Sequence, residues 1–242
     1  MDLPLQFISN IQGVFGEEGD AFLYELPDLI VEASARWGLT NIQPVSNLSY
    51  NFVAYANLTS PPAPLLKGEG SVVLKIGIPR DELTSEIAAL RLFNGDGACQ
   101  LIDADEERGF LLLEQLSPGV MLSTLADDDE ATHIAAEVMK RIWRPKEHVT
   151  LSGAKSLRDD GRDPSGREAS LSVTHAKFIQ LPDWFDQLKG VHEMVEGGTS
   201  PFDEKLVERV ERSTKEFFAE NHQPVLMHGD FHHYNILSSE RG

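Results

Sequence analysis

Val225-Leu226-Met227-His228-Gly229-Asp230-Phe231-His232-His233-Tyr234-Asn235-Ile236-Leu237 is the stretch on which the reading of this 242-residue chain turns. An apolar run, a polar loop and a second apolar run follow one another, the pattern of a loop held between two strands. Asp230 and Asn235, five residues apart, carry most of its chemistry. A carboxylate can accept the proton of an alcohol, and an amide oxygen is a hard ligand for a cation such as Mg²⁺.

That acid-to-amide spacing is the spacing of the kinase catalytic loop, where the Asp meets the acceptor hydroxyl and the Asn holds a metal. Phosphoryl transfer needs an alcohol aligned with the γ-phosphate and a cation among crowded phosphate oxygens, so the two residue types answer the two demands. The histidines offer a rival reading: His228 and His232 are four apart, as in helical zinc sites, with His233 adjacent. Gly229 and the β-like runs break such a helix, and no HExxH glutamate or cysteine ligand accompanies them, which leaves a zinc enzyme as the lesser alternative.

Working back from the loop, Leu181 to Lys189 and Glu204 to Glu220 read as helices, the second with an apolar stripe of Leu206, Val210 and Phe217. Residues 144–177 are rich in Gly, Ser, Asp and Arg and read as a flexible insertion. The acids from Asp127 to Glu130 precede an amphipathic run, Ala131 to Trp143, and favour a helix start without any ligand. Before Ser117-Pro118-Gly119 the chain is richer in strands. Pro44 to Ala56 reads as strand, turn and strand, and Ser71 to Ile78, Cys99 to Ala104 and Gly109 to Gln115 as further strands of a small antiparallel sheet. Asp81 to Phe93 is an amphipathic helix with acids in its first turn. The opening segment to about residue 45 is mainly helix, with Pro27 a candidate break and Gly38 a stop. The fold class is therefore α+β.

Composition narrows the partners. Lys and Arg number 21 against 39 Asp and Glu, a formal charge of −18. Such a surface repels a polyanion and disfavours nucleic acid, and it favours a cationic small molecule, although acidity also serves solubility alone. No apolar run approaches the roughly 20 residues of a bilayer-crossing helix, and the amino terminus lacks an export pattern, so a cytoplasmic address and no membrane partner are expected. The single cysteine, Cys99, excludes an internal disulfide and reads as a packing residue. Oligomeric state is not legible.

HGDFHHYNIL resembles the catalytic loop of the aminoglycoside phosphotransferases, in which His-Gly-Asp stands where protein kinases have His-Arg-Asp. VVLKIGIP with SEIAALRLF, and LIDADEERGFLLLEQLSPG, are similar to the nucleotide lobe of the streptomycin 6-kinase and hydroxyurea phosphotransferase branch. The resemblance implies a bilobal protein-kinase-like fold. Residues 1–116 would form a nucleotide-binding lobe and residues 117–242 a mostly helical, incomplete carboxy lobe, with the catalytic loop at 228–235. It implies an ATP- and Mg²⁺-dependent transfer of the γ-phosphate to a hydroxyl of a streptomycin-type aminoglycoside, and resistance by modification. Carried over by position, Asp230 orients the alcohol and Asn235 holds Mg²⁺. Lys75 contacts the α- and β-phosphates, and Glu86 is its ion-pair partner, with Glu82 a rival. The Ser46 to Asn51 turn lies where kinases cover the phosphates; it lacks a Gly-rich pattern, so Ser46 and Ser49 would supply hydroxyl or backbone contacts. Glu114 to Leu116 matches the hinge whose backbone meets adenine. His228 would hydrogen-bond the loop backbone.

The resemblance also calls for a second metal ligand, an Asp on a strand returning after the catalytic loop, and no Asp follows Asn235. Two expectations stay open: a fragment of a longer kinase, or a naturally short, inactive nucleotide-binding or interaction module. Either way Ile236 and Leu237 are expected at an edge without a strand partner.

Overall fold

The computed structural model describes residues 3–59, 70–145, 178–185, 202–219 and 225–240. Its chain divides into two compact units, Met1–Arg144 with Leu226–Gly242, and Pro145–Val225. In the first unit, β1 (Leu39–Pro44), β2 (Phe52–Leu58), β3 (Ser71–Ile76), β4 (Leu101–Asp105) and β5 (Phe110–Glu114) form an antiparallel sheet in the order β1-β2-β3-β5-β4. Helix α1 (Leu5–Trp37) and helix α2 (Asp81–Phe93) supply the helical partners.

Alternation along the strands sends side chains to two separate cores. Val72, Leu74 and Ile76 of β3 join Phe52, Ala54, Phe110 and Leu112 in a core completed by Phe7, Ile11, Leu26 and Ala33 of α1. Val73, Leu111 and Leu113 belong to the second core, with Leu83, Ile87 and Leu90 of α2. Burial on both faces explains why β5 reads as an unbroken apolar run rather than an alternating one. The architecture is α+β, as the sequence patterns require.

The kink in α1 and the start of β1 differ from the sequence expectation. The kink in α1 falls at Gly16, whose φ of 56° and ψ of −130° suit a residue without Cβ, whereas Pro27 stays inside the helix. The helix ends where expected, Gly38 capping it with its N–H on the Ser34 carbonyl, but the chain passes at once into β1, so strand begins at Leu39 rather than Pro44. Asn41, at φ 54°, lies in a register shift between Thr40 and Gln43, so the residues of β1 lose the simple alternation that marks a strand.

Beyond the sheet the chain does not pass directly into helix. A strand, β6 (Pro118–Met121), and a single 3₁₀ turn at Leu122–Thr124 come first. β6 pairs antiparallel with Leu237–Ser239, Pro118 opposite Ser239 and Met121 opposite Leu237. The expected unpaired edge at Ile236 and Leu237 is thereby corrected: the Leu122 N–H donates to the Ile236 carbonyl at 2.9 Å, and Ile236 is buried. Helix α3 (Asp128–Ile142) begins as read, with the Asp127 carboxylate accepting from the Glu130 N–H at 3.0 Å.

In the second unit, helices Leu181–Phe185 and Glu204–Ala219 meet through the rings of Phe185 and Phe218, 5.9 Å apart. The apolar stripe of Leu206, Val210 and Phe217 is exposed, and Val207 is the residue buried there. Helical spacing marks an apolar face but not which side of the face a neighbour covers. Residues 186–189 of the predicted helix, and nearly all of the 144–177 insertion, lie outside the described residues. Among the described residues no helix is long and apolar enough to cross a membrane.

Candidate functional site

Lys75 occupies the α2 side of β3 by the same alternation that buries Leu74 and Ile76 on the other side. On α2, Glu86 stands three residues after Leu83 and four before Leu90, so the helix face that packs on the sheet carries the carboxylate with it. The ammonium consequently lies 2.6 and 2.7 Å from the two carboxylate oxygens of Glu86. Both side chains are partly shielded, Lys75 more than Glu86. Glu82, the rival, is exposed in the first turn of α2, where its charge acts on Arg80.

Cys99 borders this pair and packs against the α2 core. Burial, followed by the charges of Glu86 and Glu114, raises its thiol pKa to about 11, with Lys75 opposing. Glu114 fastens the end of β5 to the segment before β4. Its N–H donates to the Gln100 carbonyl at 2.9 Å, and its carboxylate accepts from the Gln100 N–H at 3.0 Å. Leu116 follows in irregular backbone ahead of β6 and is partly buried. The Ser46 to Asn51 turn connects β1 to β2, anchored by buried Leu48 and by Asn10, whose amide donates to the Ser49 carbonyl at 3.3 Å. Ser46 and Ser49 are exposed.

The loop after Leu226 is pinned by the apolar residue that follows each polar one. Phe231, after Asp230, and Ile236, after Asn235, pack with Leu122, Ala131, Ile134 and Val138 of the 3₁₀ turn and α3. Between these anchors Asp230 and Asn235 are exposed, and the Asn235 amide nitrogen donates both to the Asp230 carbonyl and to Asp230 Oδ2, each at 3.0 Å. The Asn235 N–H closes the turn on the His232 carbonyl at 2.9 Å. His228 packs edge-on against Phe231, ring centres 5.8 Å apart, rather than making the expected bond to the loop backbone among the contacts described. Partial burial of its ring lowers its pKa although part of the residue reaches solvent, and the charges of Asp230, Glu86, His232 and Lys75 also act on it. The loop and the Lys75–Glu86 pair, remote in sequence, therefore share one electrostatic environment in the first unit.

The donor set is oxygen-rich and hard. With the Asn235 amide nitrogen committed to Asp230, the amide oxygen is the end available as an acceptor, which suits Mg²⁺ better than zinc. Among the described residues no three His, Cys, Asp or Glu side chains cluster closely enough to hold a metal on their own. Sequence reasoning missed the Asp230–Asn235 side-chain contact and the pairing of β6 with Leu237–Ser239. It also missed the clasp of α1 on the β4–β5 hairpin, in which Arg36 pairs with Asp105, Trp37 Nε1 donates to Asp103, and Arg108 pairs with Glu32.

Comparison with known proteins finds similar sequences. The family described as aminoglycoside/hydroxyurea antibiotic resistance kinase matches residues 56–158. Streptomycin 6-kinase of Streptomyces glaucescens is 28% identical over 242 residues, 100% of this chain and 67% of that protein. Streptomycin 6-kinase of Streptomyces griseus is 28% identical over 227 residues, 93% of this chain and 62% of that one. Hydroxyurea phosphotransferase of Kitasatospora aureofaciens is 25% identical over 244 residues, 100% of this chain and 61% of that one. The chain is similar to these proteins and spans 61–67% of their length.

Proposed function

We propose that the chain carries the nucleotide and catalytic-loop portion of a small-molecule kinase that transfers the γ-phosphate of ATP to an alcohol of a cationic, streptomycin-type acceptor. The observation that carries this reading is the Asp230–Asn235 contact in the same unit, and the same electrostatic environment, as the Lys75–Glu86 pair. Similarity to kinases of streptomycin and to a phosphotransferase of hydroxyurea supports the acceptor class.

In this reading Lys75, braced by Glu86, binds the α- and β-phosphates, and Asp230 accepts a hydrogen bond from the acceptor hydroxyl and aligns its oxygen. The Asn235 amide oxygen would hold Mg²⁺, which when bound offsets the negative charge of the phosphate oxygens. The Ser46–Asn51 turn would cover the phosphates, and the backbone from Glu114 to Leu116 would meet adenine. The excess of carboxylates attracts a guanidinium-bearing acceptor to the surface. A cytoplasmic setting, where ATP and Mg²⁺ are abundant, belongs to the same proposal.

The test is a calorimetric titration with ATP and Mg²⁺ beside a phosphorylation assay on streptomycin. Asp230→Ala is expected to retain nucleotide affinity and lose turnover by about a hundredfold or more. Nucleotide binding without turnover in the native protein would instead identify an inactive nucleotide-binding module.

A further inference from the structure

We infer that Arg80 is a positioning residue for the Lys75–Glu86 pair: it ties the first turn of α2, the helix that carries Glu86, to the bend of α1. The inference deepens the kinase reading and rests on it for its bearing on ATP. Arg80 is the N-cap of α2, in extended backbone, and its side chain makes no capping bond. Its main chain is fixed into the first turn. The N–H donates to the Ile78 carbonyl at 2.9 Å, and the carbonyl accepts from the Thr84 N–H at 3.1 Å and from the Thr84 hydroxyl at 3.2 Å. The side chain instead crosses to α1, where the guanidinium pairs with the Glu18 carboxylate and lies 4.9 Å from the centre of the Phe15 ring. Phe15 and Glu18 flank the kink at Gly16. The two halves of α1 meet closely there: a Cβ on Gly19 would stand 2.5 Å from the Ile11 carbonyl oxygen, and Gln12 donates to Asp20 at 2.7 Å.

An exposed ion pair alone is worth little. Here one guanidinium meets two partners, a use that suits arginine, whose planar fork pairs with a carboxylate and also stacks on an aromatic face. Phe15 is itself packed against the α1 core, so the anchor is a held side chain rather than a free one. What the tie controls lies six residues on, at Glu86, about 9 Å along the same helix. Leu83, Ile87 and Leu90 press α2 onto the sheet, but apolar contact is non-directional and tolerates a small slide. The fork on Lys75 does not, since a shift of about 1 Å takes an arm out of hydrogen-bond range. Arg108 is the matched case toward the other end of α1. Its guanidinium pairs with Glu32 and lies 5.8 Å from the centre of the Phe110 ring, yet it ties the β4–β5 turn to α1 rather than the start of α2.

Acylation of Lys75 by an amine reagent, followed by mass spectrometry on the whole chain without nucleotide, reads how often the pair opens. Arg80→Ala and Glu18→Ala, changes on either side of the tie, should each raise the rate at Lys75 about threefold or more, and Arg108→Ala should leave it within about 1.5-fold. An unchanged rate in Arg80→Ala, or an equal rise in Arg108→Ala, overturns the inference. Calorimetry with ATP and Mg²⁺ supplies the second arm. Arg80→Ala should weaken binding about fivefold in the native chain but less than about twofold in a Glu86→Gln chain, because its effect runs through Glu86. Full additivity of the two changes would count against positioning. Absence of ATP binding by the native chain would sink the kinase reading itself, and the Lys75 rates would still decide the role of Arg80.

Discussion

The Lys75 ammonium lies 2.6 and 2.7 Å from the two carboxylate oxygens of Glu86, gripped by a forked acceptor rather than by one point of charge. Glu86→Gln keeps the shape but halves the fork and removes the charge. Loss of a partly shielded ion-pair partner should cost about 1–2 kcal/mol of stability, between the values of surface and buried pairs. Affinity for ATP with Mg²⁺ should fall about tenfold as the lysine loses its fixed position. Urea titration and calorimetry measure the two effects, and unchanged nucleotide affinity would detach the pair from phosphate binding.

Acid should destabilise the protein partly through His228. Partial burial holds its folded pKa below the ordinary value, so as pH falls the unfolded chain binds the proton first. The contribution is therefore present above about pH 6.5 and is lost as pH falls through the lowered folded value. In His228→Asn the loss of stability between about pH 7.5 and about pH 5.5 should be smaller than in the wild type. Parallel urea midpoints for the two proteins across that range would refute it.

The Cys99 thiol, raised to about 11 beside Glu86 and Glu114, should be a poor nucleophile. At about pH 8 the folded protein is expected to react with a disulfide reagent at least about tenfold more slowly than the urea-unfolded chain, which has an ordinary thiol. A stopped-flow comparison checks this, and equal rates would show that the thiol is neither shielded nor flanked by acids in solution.

Where β3 ends and β5 begins, the backbone comes too close for a side chain. The Gly77 N–H donates to the Gly109 carbonyl at 3.0 Å, and a Cβ on Gly109, at φ 71°, would stand 2.0 Å from the Gly77 carbonyl oxygen. Gly109→Ala should lower stability by about 2 kcal/mol or more through backbone displacement. Nearby Glu107→Ala, on the exposed turn, serves as the control and should change it by less than about 0.5 kcal/mol.

Much of this was legible from residue order. Asp81 to Phe93 carries its acids, its period and its stop within one helix, and the strands around Lys75 and Leu111 announce themselves by composition. The pairing of Lys75 with Glu86 came from the resemblance, with Glu82 as a rival, because a strand followed by a helix makes such a meeting plausible without choosing between the two acids. The partner of Leu237 could not be read, since nothing local to residues 237–239 designates Pro118 to Met121. The clasp of Arg36 and Trp37 on Asp105 and Asp103 was hidden for the same reason: its residues are ordinary surface types until the fold adjoins them. The outward face of the helix Glu204–Ala219 shows the converse, a local pattern whose meaning depends on neighbours.

The short ladder of β6 with Leu237–Ser239 has a kinetic consequence. Adjacent hairpins assemble most of the five-stranded sheet, whereas this ladder must close across most of the second half of the chain. Closure over so long an interval is entropically costly and delays formation, so the ladder should assemble after the sheet and open before it. Hydrogen exchange reads this directly: the Val120 amide on Ser238 and the Leu122 amide on Ile236 should lose protection sooner than amides of β3. Uniform protection across both would show a single cooperative unit. The loop that carries Asp230 and Asn235 thus hangs from the last-made and first-broken seam of its unit, and its order is the property that moderate heat or denaturant should remove while the five-stranded sheet still stands.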